Sequence, residues 1–154
     1  MKALTVWQPW ASLILAGAKP YEFRGWRPPR ALIGQRIAIH AGARPMRRDE
    51  IVGLLNQLRN PGYFGQPCLH ADIARPMLER MHEDNRGALS HVLCTVLLGE
   101  PKRGDECTAE FGPGAGNDSD RDGTFNWGWP LTEIAPLEPP VPARGAQGFW
   151  DWTP

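Results

Sequence analysis

The run from Ala3 to Trp26 constrains the fold most, because its pattern changes twice within a short span. Ala3-Leu4-Thr5-Val6-Trp7 reads as a strand that stops at Pro9, and Pro9 opens a short apolar helix through Trp10-Ala11-Ser12-Leu13-Ile14-Leu15. Gly17 ends that helix, and the run from Tyr21 fits β-propensity better than helix. In an extended chain Glu22 and Arg24 point to one face while Tyr21 and Phe23 point to the other. Lys19 sits at the turn that feeds this strand. Two cations, a carboxylate and an indole are therefore packed closely, and burying such a set is costly unless the charges pair. The arrangement suits a polar planar ligand or a phosphate. The plainer reading is a strand-edge ion pair of Glu22 with Lys19 or Arg24, with Trp7, Trp10 and Trp26 as core.

The order of a strand, Gln8-Pro9-Trp10-Ala11-Ser12-Leu13, a helix, and then Gly17, Lys19, Glu22, Arg24 and Trp26 resembles the ASCH domain family. Gln35-Arg36-Ile37-Ala38-Ile39-His40-Ala41, a strand ending at a histidine and a small residue, is similar to a second family segment. The closing Gly-x-x-Gly-Phe-Trp from Gly145 to Trp150 is similar to the family's last strand. The likeness covers both ends of the chain and less of its middle. It implies an α+β fold: a PUA-like small β-barrel, a closed sheet with helices packed at its rim and a cleft used on RNA, DNA or modified nucleosides. In a branch that resembles amidohydrolases acting on N4-acetylcytidine, a lysine corresponds to Lys19. The threonine nucleophile three residues later is Glu22 here, as in the larger coactivator-like branch.

The chain carries 17 basic and 17 acidic side chains, so its formal net charge is zero and bulk charge does not drive nucleic-acid binding. A local patch must do so. Lys19, Arg24, Arg27, Arg30, Arg36, Arg44, Arg47 and Arg48 fall in the first third, whereas Asp105, Glu106, Glu110, Asp118, Asp120 and Asp122 come later. Arg27 and Arg30 bracket Pro28-Pro29, whose fixed backbone presents both guanidiniums. Trp26 beside Arg27 pairs an aromatic ring with a cation, as sites that stack bases do. The expected nucleic-acid contacts are Lys19, Arg24, Trp26, Arg27 and Arg30. Trp7, Gln8, Trp10, Ser12, Tyr21, His40, Trp127 and Trp129 are candidates for the cleft.

Three functional readings follow. In the first, the chain binds nucleic acid, with RNA as the expected ligand and DNA or a modified nucleoside as alternatives. In the second, it is a small hydrolase of RNA or of a nucleoside such as N4-acetylcytidine, with Lys19, Glu22 and Arg24 as the catalytic set. Glu22 would be general acid or base, Lys19 would stabilise developing charge, and water would attack. In the third, exposed aromatics meet a protein partner.

Length and composition fit one domain over 1–154, with a flexible loop at 110–123 that is a candidate lid. Cys68, Cys94 and Cys107 are odd in number and lack CxxC spacing, which argues against disulfides and zinc and for a reducing cytoplasm. Asn117, Asp118, Asp120 and Asp122 do not match a calcium loop. No metal or cofactor is expected, nor a membrane span, and a monomer is the default. Ile51, Leu54, Leu55 and Leu58 predict an amphipathic helix over 49–58, followed by a loop over 63–67. A second helix over 71–83 is expected to break or restart at Pro76. The segment 88–99 predicts a strand around Cys94. Alternation predicts a further strand over 125–134, with Phe125, Trp127, Trp129 and Leu131 on one face. The proline-rich segment 135–144 is expected to be a semi-rigid connection to a closing strand at 147–152.

Overall fold

The computed structural model describes residues 1–84, 87–112, 115–116 and 126–154, apart from the side chain of Phe64. Lys2–Val6 forms β1, Trp10–Leu15 forms α1 and Tyr21–Arg24 forms β2. β3 (Arg36–Ala41), α2 (Arg48–Arg59), α3 (Pro61–Phe64), β4 (Gln66–Pro67) and α4 (Ala71–Asp84) follow. Then come β5 (His91–Leu98), β6 (Lys102–Arg103), α5 (Gly104–Ala109), β7 (Ala115–Gly116), β8 (Trp127–Pro142) and β9 (Phe149–Asp151). The central expectations over 110–123 and at Phe125 lie largely outside the described residues.

Among the described residues, seven strands form one mixed sheet in the order β2-β8-β5-β3-β1-β9, with β6 also on β8. β1 and β3 are parallel, and this register sets Thr5 beside His40. The sheet curls until its two ends meet through side chains. Trp26 lies edge-on to Trp129 at 4.8 Å and to Phe149 at 6.1 Å between ring centroids, and Trp129 stacks on Phe149 at 5.7 Å. No ladder joins β2 to β9 among the described residues. The result is the expected α+β architecture of a barrel with helices, but curled as a half-barrel with a seam that aromatic rings bridge rather than a fully hydrogen-bonded cylinder.

Two apolar clusters explain the layering. Leu4, Val6, Ile37, Ile39, Val96, Leu98, Trp129 and Leu131 fill the concave side of the sheet under Ala11 and Ile14 of α1. Leu13, on the other side of α1, packs with Ile51, Leu54 and Leu55 of α2 and Ala74, Leu78 and Met81 of α4. This helical layer realises the period-3.6 pattern of both helices. α4 continues through Pro76 without a break. The ring removes an amide from an exposed position, where water can satisfy the freed carbonyl.

β8 departs furthest from expectation, because the proline-rich segment is strand through Pro142 and not a free connection. Among the described residues its later part pairs with β5 alone, from Leu98↔Leu131 to His91↔Pro142. β2 and β6 pair with β8 no further than Pro130. Prolines 136, 139, 140 and 142 therefore lie on strand with one open edge, where a missing amide donor is tolerated. The expected loop over 63–67 instead holds the end of α3 and the two-residue strand β4, and α5 and the two-residue strands β6 and β7 were not expected either.

Trp129 holds the seam from within, at 0 % exposure, and its indole Nε1–H donates to Trp26 O at 3.1 Å. We expect Trp129→Ala to cost about 3–5 kcal/mol of unfolding free energy in urea titrations, and Trp26→Ala, at a half-open ring, distinctly less.

Candidate functional site

The open seam leaves a cleft of about 1010 Å³. One wall is β2, with Glu22 and Arg24; another is the end of β1, with Thr5 and Trp7, beside His40 and Gly42 from the end of β3. The third is the segment 142–148 between β8 and β9, and Trp10 of α1 also reaches the cleft. The cleft thus draws on strands from both ends of the curled sheet.

Glu22 and Arg24 share one face of β2, as strand alternation requires. The Glu22 carboxylate is buried. Its Oε1 accepts from Arg24 Nε at 2.9 Å, and Arg24 Nη2 lies 2.8 Å from the same oxygen. Arg24 Nη2 also donates to Thr5 O at 3.3 Å, so the guanidinium ties β2 to β1 across the seam. Lys19, 2 % exposed, stands behind this pair. Its Nζ donates to Tyr21 O at 2.6 Å and lies 3.6 Å from Glu22 Oε2, between the rings of Trp10 and Phe23. Lys19 neutralises the floor of the cleft without lining it.

His40 is buried at the end of β3. Its Nε2 is 3.0 Å from Ala143 O, and a carbonyl can only accept, so Nε2 carries the proton. Burial pushes His40 below the ordinary histidine range, partly offset by this bond, and favours the neutral ring. Nδ1 is then an acceptor, and Thr5 Oγ1, 3.2 Å away, donates to it. Trp150 Nε1–H donates in turn to Thr5 Oγ1 at 3.1 Å. Gly145 closes over this chain of bonds. A Cβ there would lie 2.4 Å from His40 Cε1 and 2.7 Å from Thr5 Oγ1, so only glycine fits.

Trp7 is 55 % exposed on the cleft wall. The Arg44 guanidinium lies 4.0 Å from the ring centroid and is itself paired with Glu50 at 2.9 Å. Arg44 Nε is the buried side-chain donor without an acceptor among the described residues, a cost borne to hold the cation on the indole.

The other residues expected at the site fall elsewhere. Gln8 is buried and acts structurally: its amide donates to Ala88 O at 3.0 Å and its Oε1 accepts Ser12 N–H, an amide of the first turn of α1, at 3.1 Å. Tyr21 faces away from Glu22, and its hydroxyl donates to Glu110 at 2.6 Å and meets Lys102 Nζ at 3.2 Å. Burial first, and then Glu110, raise the Tyr21 phenol above its ordinary range. Trp129 is core. Trp26, Arg27 and Arg30 lie beyond the cleft lining. Arg27 stacks on Trp127 at 4.7 Å and pairs with Glu100 at 2.9 Å. Arg30 is exposed in the single 3-10 turn at Arg30–Leu32.

Thr5 and the wall 143–148 were missed from sequence. The His40–Thr5 contact depends on the parallel β1–β3 register, which local patterning does not reveal. A nearer signal was present in Ala143-Arg144-Gly145-Ala146-Gln147-Gly148, where two glycines lie beside an arginine. Among the described residues no cluster of His, Cys, Asp or Glu could hold a metal, and no helix is long and apolar enough to cross a membrane. Cys94 and Cys107 are pushed up to about 12 and about 11 by burial, so neither offers a ready thiolate.

Two outcomes test this site. Glu22→Gln leaves Arg24 and Lys19 facing a neutral amide in a buried setting, and is expected to cost about 3–5 kcal/mol in urea titrations. For His40, the unfolded chain binds a proton more readily than the folded one, because the folded-state value lies below the ordinary 6.5. Its contribution is complete above that value and is lost as pH falls through the lower folded-state one. The urea midpoint should therefore fall as pH is lowered below about 6.5, and His40→Gln should flatten that fall.

The ASCH domain family profile matches residues 4–83. Among solved structures, the chain is similar to an ASCH protein from Zymomonas mobilis, at 15% identity and a TM-score of 0.51, covering 92% of this chain and 72% of that one. A point mutant of the same Zymomonas mobilis protein gives 17% identity and a TM-score of 0.50 over the same coverage. At such identities the likeness speaks to the fold. No curated protein sequence matches the chain.

Proposed function

The chain belongs to the ASCH domain family, and from the cleft that its half-barrel leaves open we propose that it binds single-stranded nucleic acid, with RNA as the preferred ligand. The observation that carries this reading is the Trp7 indole, 55 % exposed on the wall of a cleft of about 1010 Å³ whose floor holds the Glu22–Arg24 pair. An exposed indole backed by a guanidinium is a platform for an unpaired base, since every base offers a π-face. The Glu22 carboxylate, fixed through Oε1 by Arg24, keeps Oε2 as an acceptor for the amino or imino hydrogens of a base edge. Single-stranded RNA is read in this way, by stacking and by hydrogen bonds to splayed-out bases. Zero net charge fits a local site better than a surface that coats a duplex.

Binding is measured by fluorescence anisotropy with labelled single-stranded RNA and the matching DNA. Trp7→Ala should weaken RNA binding by about 1–3 kcal/mol, roughly 5- to 150-fold. Unfolding stability should barely change. A Trp7→Ala protein that binds as the wild type does would remove the cleft from the reading.

The hydrolase reading has one observation in its favour. Thr5 Oγ1 donates to a neutral imidazole whose other nitrogen is fixed on a carbonyl, a geometry that can activate a hydroxyl. Against it, Thr5 Oγ1 already accepts from Trp150 and lies under Gly145, and burial weakens His40 as a base. Binding is therefore the preferred reading. Turnover of RNA or N4-acetylcytidine by the wild type, abolished in Thr5→Val, would reverse that preference.

A further inference from the structure

We infer that Arg144 is the phosphate contact of the cleft, delivered there by a backbone anchored at Ala143 and packed closely at Gly145, so that the cleft takes a nucleotide rather than a bare nucleoside. This deepens the nucleic-acid reading and rests on it. Charge points to Arg144. Among the described residues, the charged ones lining the cleft are Glu22, Arg24 and Arg144. Glu22 and Arg24 neutralise each other at 2.8 Å. Arg144 is exposed and has no hydrogen-bond or ion-pair partner among the described residues. Among the described residues of the lining, Arg144 is thus the cation with no carboxylate beside it, and the fork of its guanidinium suits phosphate oxygens.

Placement points to the same residue. A free arginine on a mobile loop would lose much of its binding energy to ordering, whereas the backbone around Arg144 is held on both sides. Ala143 N–H donates to Ser90 O at 2.9 Å, and Ala143 O accepts from His40 Nε2. On the other side Gly145 lies flat against His40 and Thr5, with no room for a Cβ. No backbone hydrogen bond joins Arg144, Gly145, Ala146 or Gln147 to another described residue. These amides are thus not taken up in the backbone bonding of the described residues.

The other basic candidates are already engaged. Arg27 pairs with Glu100, Arg44 with Glu50 and Arg47 with Asp49. Arg30 is exposed but lies outside the cleft lining. Arg144 is therefore the cation in the cleft with unspent capacity for an anion.

The test compares wild type, Arg144→Gln, Arg144→Lys and the control Arg47→Gln by anisotropy with a labelled oligouridylate over a salt series. Uridine and uridine 5′-monophosphate serve as competitors. We expect Arg144→Gln to lose about tenfold in affinity at low salt, with a salt slope shallower by about 0.7, the loss of one phosphate contact on a single strand. Arg144→Lys should keep the slope, and Arg47→Gln should match the wild type. The monophosphate should compete better than the nucleoside against the wild type, and this advantage should vanish in Arg144→Gln. Thermal midpoints are expected to be equal for all four proteins. A wild type that binds, with Arg144→Gln unchanged in affinity, slope and monophosphate preference, overturns the assignment and leaves the nucleic-acid reading standing. A wild type that binds neither the oligonucleotide nor the monophosphate overturns the reading and the inference together.

Discussion

The contact on which the site depends is the Glu22–Arg24 pair at the edge of β2. The half-barrel has a seam because no ladder joins its end strands, and Arg24 spans it by holding Glu22 Oε1 on its own strand and Thr5 O on β1. A buried carboxylate in this place is tolerable only because a guanidinium and the Lys19 ammonium meet it at close range. Hydrophobic isosteres would seal the seam more cheaply. The charged solution keeps an acceptor and a donor at the floor of an open cleft, where an apolar seal would leave neither.

The rest of the architecture supports that arrangement. Trp26, Trp129 and Phe149 bring the ends of the sheet together above the core without closing it. Their packing fixes the width of the seam, because aromatic rings have few rotamers and bury large areas. On the opposite rim, the bonds from Trp150 through Thr5 and His40 to Ala143 bind the C-terminal wall to β1 and β3. One histidine tautomer thereby sets the position of a whole wall.

Much of this was legible in the sequence. The alternation of Tyr21, Glu22, Phe23 and Arg24 placed the two charged residues on one face, and the structure keeps them there. The short helix after Pro9, the periodicity of α2 and the apolar run of β5 were equally plain, because each is a local pattern with a fixed period. What local patterns do not carry is which strands lie together. The parallel β1–β3 register joins residues 35 positions apart, Thr5 and His40, and no spacing rule links them. The prolines of β8 misled for a related reason. They read as a spacer until the sheet order shows that this half of the strand has an open edge. The tryptophans were ambiguous for a third reason: Trp7 and Trp129 both sit on strand-like runs, yet one is open to the cleft and the other is core. Burial of an aromatic ring is decided by the curl of the sheet and not by its neighbours in sequence.

The central claim is that ligand enters the seam between β2 and β1, and the seven tryptophans report on it directly. Their indole N–H resonances can be followed by NMR as single-stranded RNA is added. The account predicts that Trp7, on the cleft wall, and Trp150, bonded to Thr5 at its edge, shift with the titration while buried Trp129 stays in place. Shifts at Trp26 and Trp127, with Trp7 and Trp150 unmoved, would put the ligand on the outer face of β2 and β8 and contradict it.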